Sequence, residues 1–94
     1  MRIRWAEESL ADIDRLDAFL RRNSPPAADR AYRAIYDAVL QLSDFPFMGR
    51  PLPDGAPGYR ELLVSLSGGG YLVLYFVDTQ IEILRLRHQR EDQY

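Results

Sequence analysis

The spacing of apolar residues along the chain predicts one short strand followed by two helices. Polar and apolar residues alternate over residues 2–5, as they do in a half-buried strand. Apolar residues then recur at helical spacing over residues 7–22, and a second helical stripe runs from residue 25 to about residue 42. Between these stripes, Ser24 suits the N-cap of the second helix and Pro25 its first position. So short a connection predicts an antiparallel helix hairpin.

Three further strands are predicted after a proline-rich loop. Residues 43–58 hold four of the six prolines, which we expect to exclude regular structure. The strands follow at residues 59–66, 71–77 and 80–87, with the run Ser67-Gly68-Gly69-Gly70 as a hairpin turn. The middle strand is apolar on both faces, which is typical of a central strand.

These elements predict an α+β fold in which an N-terminal strand and a helix hairpin precede a three-stranded antiparallel sheet. The hairpin can cover only one face of that sheet. Nothing in the sequence is expected to cover the other face, and an exposed apolar sheet surface usually marks a partner site.

Composition narrows the class of protein. A chain of 94 residues predicts a single domain over 1–94. It has no cysteine and one histidine, so we expect no disulfide, metal site or cofactor. No segment has the pattern of a signal peptide or a membrane span, so the expected location is the cytoplasm. The net charge is −2, which disfavours non-specific nucleic-acid binding, although all 12 basic residues are arginine.

The last predicted strand ends in a cluster of groups that carry chemistry. Arg85 and Arg87 are followed by His88, Arg90 and Tyr94. Guanidinium and imidazole groups at a sheet edge can bind phosphate, a partner's carboxylates or only water. The alternation also allows a purely structural reading, in which Arg85 and Arg87 share a face with Ile81 and Ile83 and pair across strands with Glu82 and Glu61.

A set of short motifs runs the whole length of the chain. It consists of the opening strand to Trp5, Ala11-Asp12-Ile13, Pro26-Ala27-Ala28, Leu42 with Phe45-Pro46 and Gly49-Arg50-Pro51, Gly58 to Leu62, Tyr71 to Asp78, and Ile83 to Arg90. With all of these motifs in this order, the chain resembles the ParE/RelE superfamily of toxins from bacterial toxin–antitoxin modules.

The resemblance implies a toxin that a cognate antitoxin neutralises, but it leaves the target open. ParE-like members inhibit DNA gyrase by binding and have no catalytic residues. RelE-like members are ribosome-dependent mRNA endonucleases. A degenerate member that poisons nothing is a third alternative, and fold alone does not choose among them.

Carried over from RelE-like enzymes, the nuclease alternative would use Arg60, His88, Arg90 and Tyr94 as catalytic groups. Two residues oppose this alternative. Leu72 occupies the position where RelE-like enzymes place an arginine against the phosphate, and Glu61 adds a carboxylate beside Arg60.

The favoured hypothesis is therefore a ParE-like gyrase inhibitor without catalysis of its own. We expect its antitoxin to cover the bare sheet face and the groove beside the helix hairpin. The expected binding residues, which would anchor acidic groups of the antitoxin or target, are Arg60, Arg85, Arg87, His88 and Arg90.

Overall fold

The computed structural model describes residues 1–66 and 69–94. Within them the chain forms the elements β1 (Ile3–Trp5), α1 (Glu7–Asn23), α2 (Pro25–Gln41), β2 (Arg50–Pro51), β3 (Tyr59–Leu66), β4 (Gly69–Val77) and β5 (Ile81–His88). The strands form one sheet in the order β1-β5-β4-β3-β2. β1 runs parallel to β5, and the other pairs are antiparallel. The α+β prediction is confirmed.

The helix hairpin follows from its capping and charge. Ser24 accepts a hydrogen bond on Oγ from the backbone N–H of Ala27 at 3.3 Å, so it is the predicted N-cap of α2. α1 carries acidic residues in its first turn and Arg21 and Arg22 in its last, which complements the helix dipole. The buried stripe of α2 packs over the sheet and consists of Ala28, Ala31, Ile35 and Val39.

The core lies between this hairpin and one face of the sheet. β4 is the central strand, as predicted, and its Val73 and Tyr75 are fully buried. β5 contributes Ile81, Ile83 and Leu86 to the same layer. Burial of each such side chain contributes roughly 1.5–3 kcal/mol, so these two strands form the most stable part of the sheet.

The sheet is wider than the sequence predicts. The absence of regular structure expected over residues 43–58 was wrong at Arg50–Pro51, which pair with Glu61 and Arg60 of β3. A proline is tolerated there because β2 is an edge strand. Gly69 and Gly70, expected in a turn, begin β4, while the rest of that predicted turn, residues 67–68, lies outside the described residues.

A register shift in β5 changes which side chains face the core. Tyr75 pairs with Ile83 but Leu74 pairs with Arg85, so Leu84 is an extra residue in the strand. Beyond this bulge it is Leu86 that is fully buried under the helices. The expectation that Arg85 and Arg87 share a face with Ile81 and Ile83 was therefore wrong.

Candidate functional site

The sheet face opposite the helices is partly covered by the end of the chain. The hydroxyl of Tyr94 donates a hydrogen bond to Oε2 of Glu61 at 2.6 Å, and Arg50 donates to Oε1 at 2.7 Å. The guanidinium of Arg87 lies 5.1 Å from the centroid of the Tyr94 ring. The expectation that nothing in the chain covers this face was therefore wrong at Tyr94.

Glu61 is the electrostatic centre of this contact, because its side chain is only 7% exposed. Burial raises the pKa of Glu61, but the hydrogen bonds from Tyr94 and Arg50 outweigh it and the net shift is downward. Burial, followed by the bond to Glu61, raises the pKa of Tyr94. Glu61 is thus a paired carboxylate that neighbouring donors keep charged.

Arg85 is bound within the fold instead of pointing to a partner. Its Nε donates to Oδ2 of Asp12 at 2.8 Å, and the same oxygen accepts the backbone N–H of Leu86 at 2.8 Å. Asp12 is buried, and the expected partner of Arg85, Glu82, pairs with Arg4 on β1. Asp12 therefore closes the part of the β5 edge that β1 does not reach.

Arg60 is also bound by its own chain. One guanidinium nitrogen, Nη1, donates to the carbonyl of Phe47 at 3.1 Å and to that of Gly49 at 2.6 Å. The same group lies over the Phe47 ring, 5.0 Å from its centroid. This guanidinium fixes the loop before β2.

His88 and Arg90 lie at the far end of β5. His88 Nδ1 accepts the backbone N–H of Arg90 at 3.0 Å, and the backbone N–H of His88 donates to Glu91 Oε1 at 2.7 Å. The imidazole meets the Tyr71 ring edge-on, with centroids 5.2 Å apart. The guanidinium of Arg87 donates to the backbone carbonyl of Glu91.

The four candidate nuclease residues are not brought together. Arg60 lies opposite Tyr75 on β4 and His88 opposite Tyr71. Tyr71 and Tyr75 are four positions apart on β4, which corresponds to about 13 Å along the strand. His88 lines a pocket with residues of both helices, whereas Tyr94 contacts Glu61 on the other face. Only His88 and Arg90 are neighbours.

A groove that the sequence analysis located only approximately runs beside α1 at this end of the sheet. Its volume is about 570 Å³, and His88 and Arg90 are the expected site residues in it. Its apolar lining includes Phe19, which is 60% exposed, and its rim includes Arg22. The predicted core stripe of α1 consists of Leu10, Ile13, Leu16 and Leu20. Phe19 is a large apolar residue outside this stripe, and that was the signal available in the sequence. The remaining lining residues are Arg15, Leu16, Leu20, Tyr71 and Glu91.

Residues 1–66 and 69–94 also bear on metal binding and on membrane insertion. No group of three or more histidine, cysteine, aspartate or glutamate side chains is placed there to hold a metal ion. None of the helices in that part of the chain is long and apolar enough to cross a membrane.

Comparison with known proteins gives consistent matches. The family model described as the ParE toxin of the type II toxin–antitoxin system, parDE, matches residues 3–93. Y4kP of Sinorhizobium fredii, a candidate toxin by its name, is 32% identical over 96% of this chain and 90% of its own length. Toxin RelE3 of Caulobacter vibrioides is 35% identical over 85% of each chain.

A solved structure supports the same assignment. It is described as the chromosomal ParDE TA system from P. aeruginosa, and it matches with a TM-score of 0.75 and 26% identity. The match covers 94% of this chain and 95% of the other. The resemblance found in the sequence is confirmed, and the chain belongs to the ParE toxin family of type II toxin–antitoxin systems.

Proposed function

We propose that this toxin inhibits DNA gyrase by binding to it, without catalysis, and that a cognate antitoxin neutralises it. The observation that carries the proposal is the separation of Arg60, His88 and Tyr94. RNA cleavage needs a base, an acid and cations around one phosphate. Here Arg60 is bound to two backbone carbonyls and Tyr94 to a carboxylate, on different parts of the sheet.

The carboxylate beside Tyr94 supports the same reading, because Glu61 already accepts the hydrogen bonds of the Tyr94 hydroxyl and the Arg50 guanidinium that a phosphate would need. A phosphate at this position would approach Glu61, whose pKa is shifted downward by its hydrogen bonds, so the carboxylate is charged at neutral pH. The neighbouring side chain of Leu72 offers no hydrogen-bond donor. This surface suits a protein partner better than an RNA phosphate.

The antitoxin is proposed to occupy the groove beside α1. Its apolar lining includes the exposed Phe19, and Arg22 and Arg90 lie at its border. Arg60 and Arg85 were among the expected anchors, but Arg85 is engaged with Asp12 inside the fold, and Arg60 lies at the loop before β2, outside this groove. Arg90, which was also expected, keeps that role in the proposal and Arg22 is added to it, since arginine pairs well with the carboxylates of an acidic partner.

One induction experiment tests the proposal. The toxin is expressed in bacteria with and without the neighbouring gene, and both plasmid supercoiling and mRNA integrity are followed. The expected result is filamentation and loss of negative supercoiling before any change in mRNA, with rescue by the neighbouring gene. Purified toxin should also inhibit gyrase directly.

Two outcomes contradict the proposal. Immediate, translation-dependent mRNA cleavage with normal supercoiling favours the RelE-like alternative. Normal growth at high levels of soluble, folded toxin favours a degenerate member.

A further inference from the structure

The loop between α2 and β2 exposes large apolar side chains. Phe45 is 64% exposed, Phe47 63% and Met48 42%. A single exposed apolar side chain is ordinary, but three within four positions form a concentrated apolar surface. We name residues 45–48 the aromatic loop.

The backbone of the aromatic loop is fixed by side chains from the sheet. The hydroxyl of the fully buried Tyr75 donates to the carbonyl of Pro46 at 2.9 Å and accepts the N–H of Gly49 at 2.8 Å. Arg60 donates to the carbonyls of Phe47 and Gly49. β3 and β4 thus each supply a side chain that holds this loop.

The close approach at Gly49 is part of this support. A Cβ atom at this position would lie 2.7 Å from the Tyr75 hydroxyl oxygen and 2.8 Å from the Glu61 carbonyl oxygen, so only glycine fits. A plain connection between α2 and β2 needs neither a buried phenol nor such contact. The arrangement orders the backbone that presents the exposed aromatic side chains.

Rigid aromatic side chains are effective binding anchors. A partner that buries them loses little conformational entropy in the loop, because its backbone is already ordered. Aromatic residues also dominate the binding energy of protein interfaces when they enter apolar pockets. The aromatic loop has both properties.

We propose that the aromatic loop is the surface through which this toxin contacts its protein target. The inference rests on the proposed function, which makes that target gyrase. Projecting rings require a concave apolar cleft on the partner. The Arg60 guanidinium lies over the Phe47 ring, so a carboxylate at the rim of the cleft completes the fit.

The loop and the antitoxin groove are separate surfaces. Tyr71 of β4 lines the groove, whereas Tyr75 holds the loop, and four residues of strand place them about 13 Å apart. A nucleic acid is a poorer occupant, because Asp44 lies beside the loop and the net charge is −2. Contact through the loop and contact through the groove can therefore be changed independently.

The test is a titration of purified gyrase with the wild-type toxin, Phe47→Ser and the double variant Phe45→Ser/Phe47→Ser. Half-inhibition of supercoiling should require at least tenfold more of the double variant. Leu10→Ser on α1 is the matched control, since Leu10 is as exposed as Met48, and it should inhibit as the wild type does. All three variants should keep the wild-type helical circular dichroism and should still co-purify with tagged antitoxin.

The outcomes separate this inference from the proposed function. Equal inhibition by wild type and double variant overturns the inference and leaves gyrase as the target. If the wild type does not inhibit gyrase, the proposed function fails. The inference about the loop is then tested by growth arrest on induction. Arrest by the double variant overturns the inference as well. Two further results would overturn the inference. One is a gel shift of DNA by the toxin alone that is lost in Phe47→Ser. The other is a toxin dimer that sedimentation detects for the wild type and Leu10→Ser but not for the double variant.

Discussion

The hydroxyl of Tyr94 donates a 2.6 Å hydrogen bond to Oε2 of Glu61, which ties residue 94 to β3 across 33 positions of sequence. Arg50 occupies the other carboxylate oxygen. Each oxygen of a partly buried charge thus has a donor, which offsets much of its desolvation. The end of the chain is therefore part of the folded sheet surface.

Removing the hydroxyl of Tyr94 should weaken this attachment. Tyr94→Phe keeps the ring near Arg87 but leaves Glu61 with one fewer donor. We expect the free energy of unfolding to fall by about 1.5–3 kcal/mol, as for a hydrogen bond to a charged group. Urea unfolding at pH 7 measures this. Tyr59→Phe, on the same strand as Glu61, is the control. An equal fall in the free energy of unfolding in both variants would contradict the role of the Tyr94 hydroxyl.

The pairing of Asp12 should make stability depend on acid. Burial raises the pKa of Asp12, but bonds from Arg85 and the Leu86 N–H bring it below the ordinary 3.8. The native pKa is lower than the unfolded one, so the stabilisation is complete above about pH 5 and is lost as pH falls through the native pKa. Asp12→Asn should cost about 2–4 kcal/mol at pH 7.

The same variant should lose less stability than the wild type between pH 6 and pH 3, because one of the carboxylates responsible is gone. Urea unfolding at four pH values gives both curves. Asp14→Asn, on the exposed side of α1, should follow the wild-type curve. If the free energy of unfolding of Asp12→Asn fell as steeply with pH as that of the wild type, other carboxylates would account for the acid sensitivity.

The periodic elements could be predicted because their signals are local. The stripe of α2 and the N-cap at Ser24 lie within a few residues of each other. The bulge at Leu84 could not be predicted, because it depends on the register between β4 and β5. That register decides whether Leu86 or Arg85 is buried, and it reversed the expected faces of the strand.

The candidate site was predicted less well, since its contacts join distant parts of the chain. Arg85 was expected to bind a partner or to pair with Glu82 or Glu61, but it pairs with Asp12, which lies 73 positions away. Arg60 was likewise expected to bind a partner, while the carbonyls it meets belong to a loop whose conformation the local pattern does not specify. A charged residue can be recognised in sequence, but its availability depends on tertiary contacts.

Removing the Tyr75 hydroxyl should show whether gyrase inhibition depends on the order of the aromatic loop. Tyr75→Phe leaves the N–H of Gly49 without its buried partner, which should cost about 1–3 kcal/mol. The rings of the loop stay in the sequence, but their backbone is less ordered. Under the target-contact proposal, gyrase inhibition therefore weakens even at temperatures where the variant is fully folded. Undiminished inhibition at those temperatures would mean that the order of the loop is unimportant.

Reversing the charges of the groove should weaken binding of the antitoxin and leave contact with the target unchanged. Arg22→Glu/Arg90→Glu places two carboxylates beside a partner proposed to be acidic, so the dissociation constant for the antitoxin should rise at least tenfold at low salt. The difference should shrink as ionic strength increases. Arg33→Glu, exposed on α2, is the control with a single reversal. Binding measured by calorimetry at two salt concentrations decides, and a salt-independent loss would point to misfolding.

Replacing His88 should distinguish binding from catalysis. Nδ1 of this imidazole accepts the N–H of Arg90, and the ring packs edge-on against Tyr71, so the contacts of His88 are those of a structural residue. We expect His88→Ala to unfold more easily, yet to inhibit supercoiling within about twofold of wild type when folded, because truncations outside a contact surface are near-neutral for binding. A nuclease would lose mRNA cleavage entirely, since a missing acid–base group costs orders of magnitude in rate. Parallel supercoiling and mRNA assays on folded His88→Ala therefore test the absence of catalysis directly, and abolished toxicity with intact folding would contradict it.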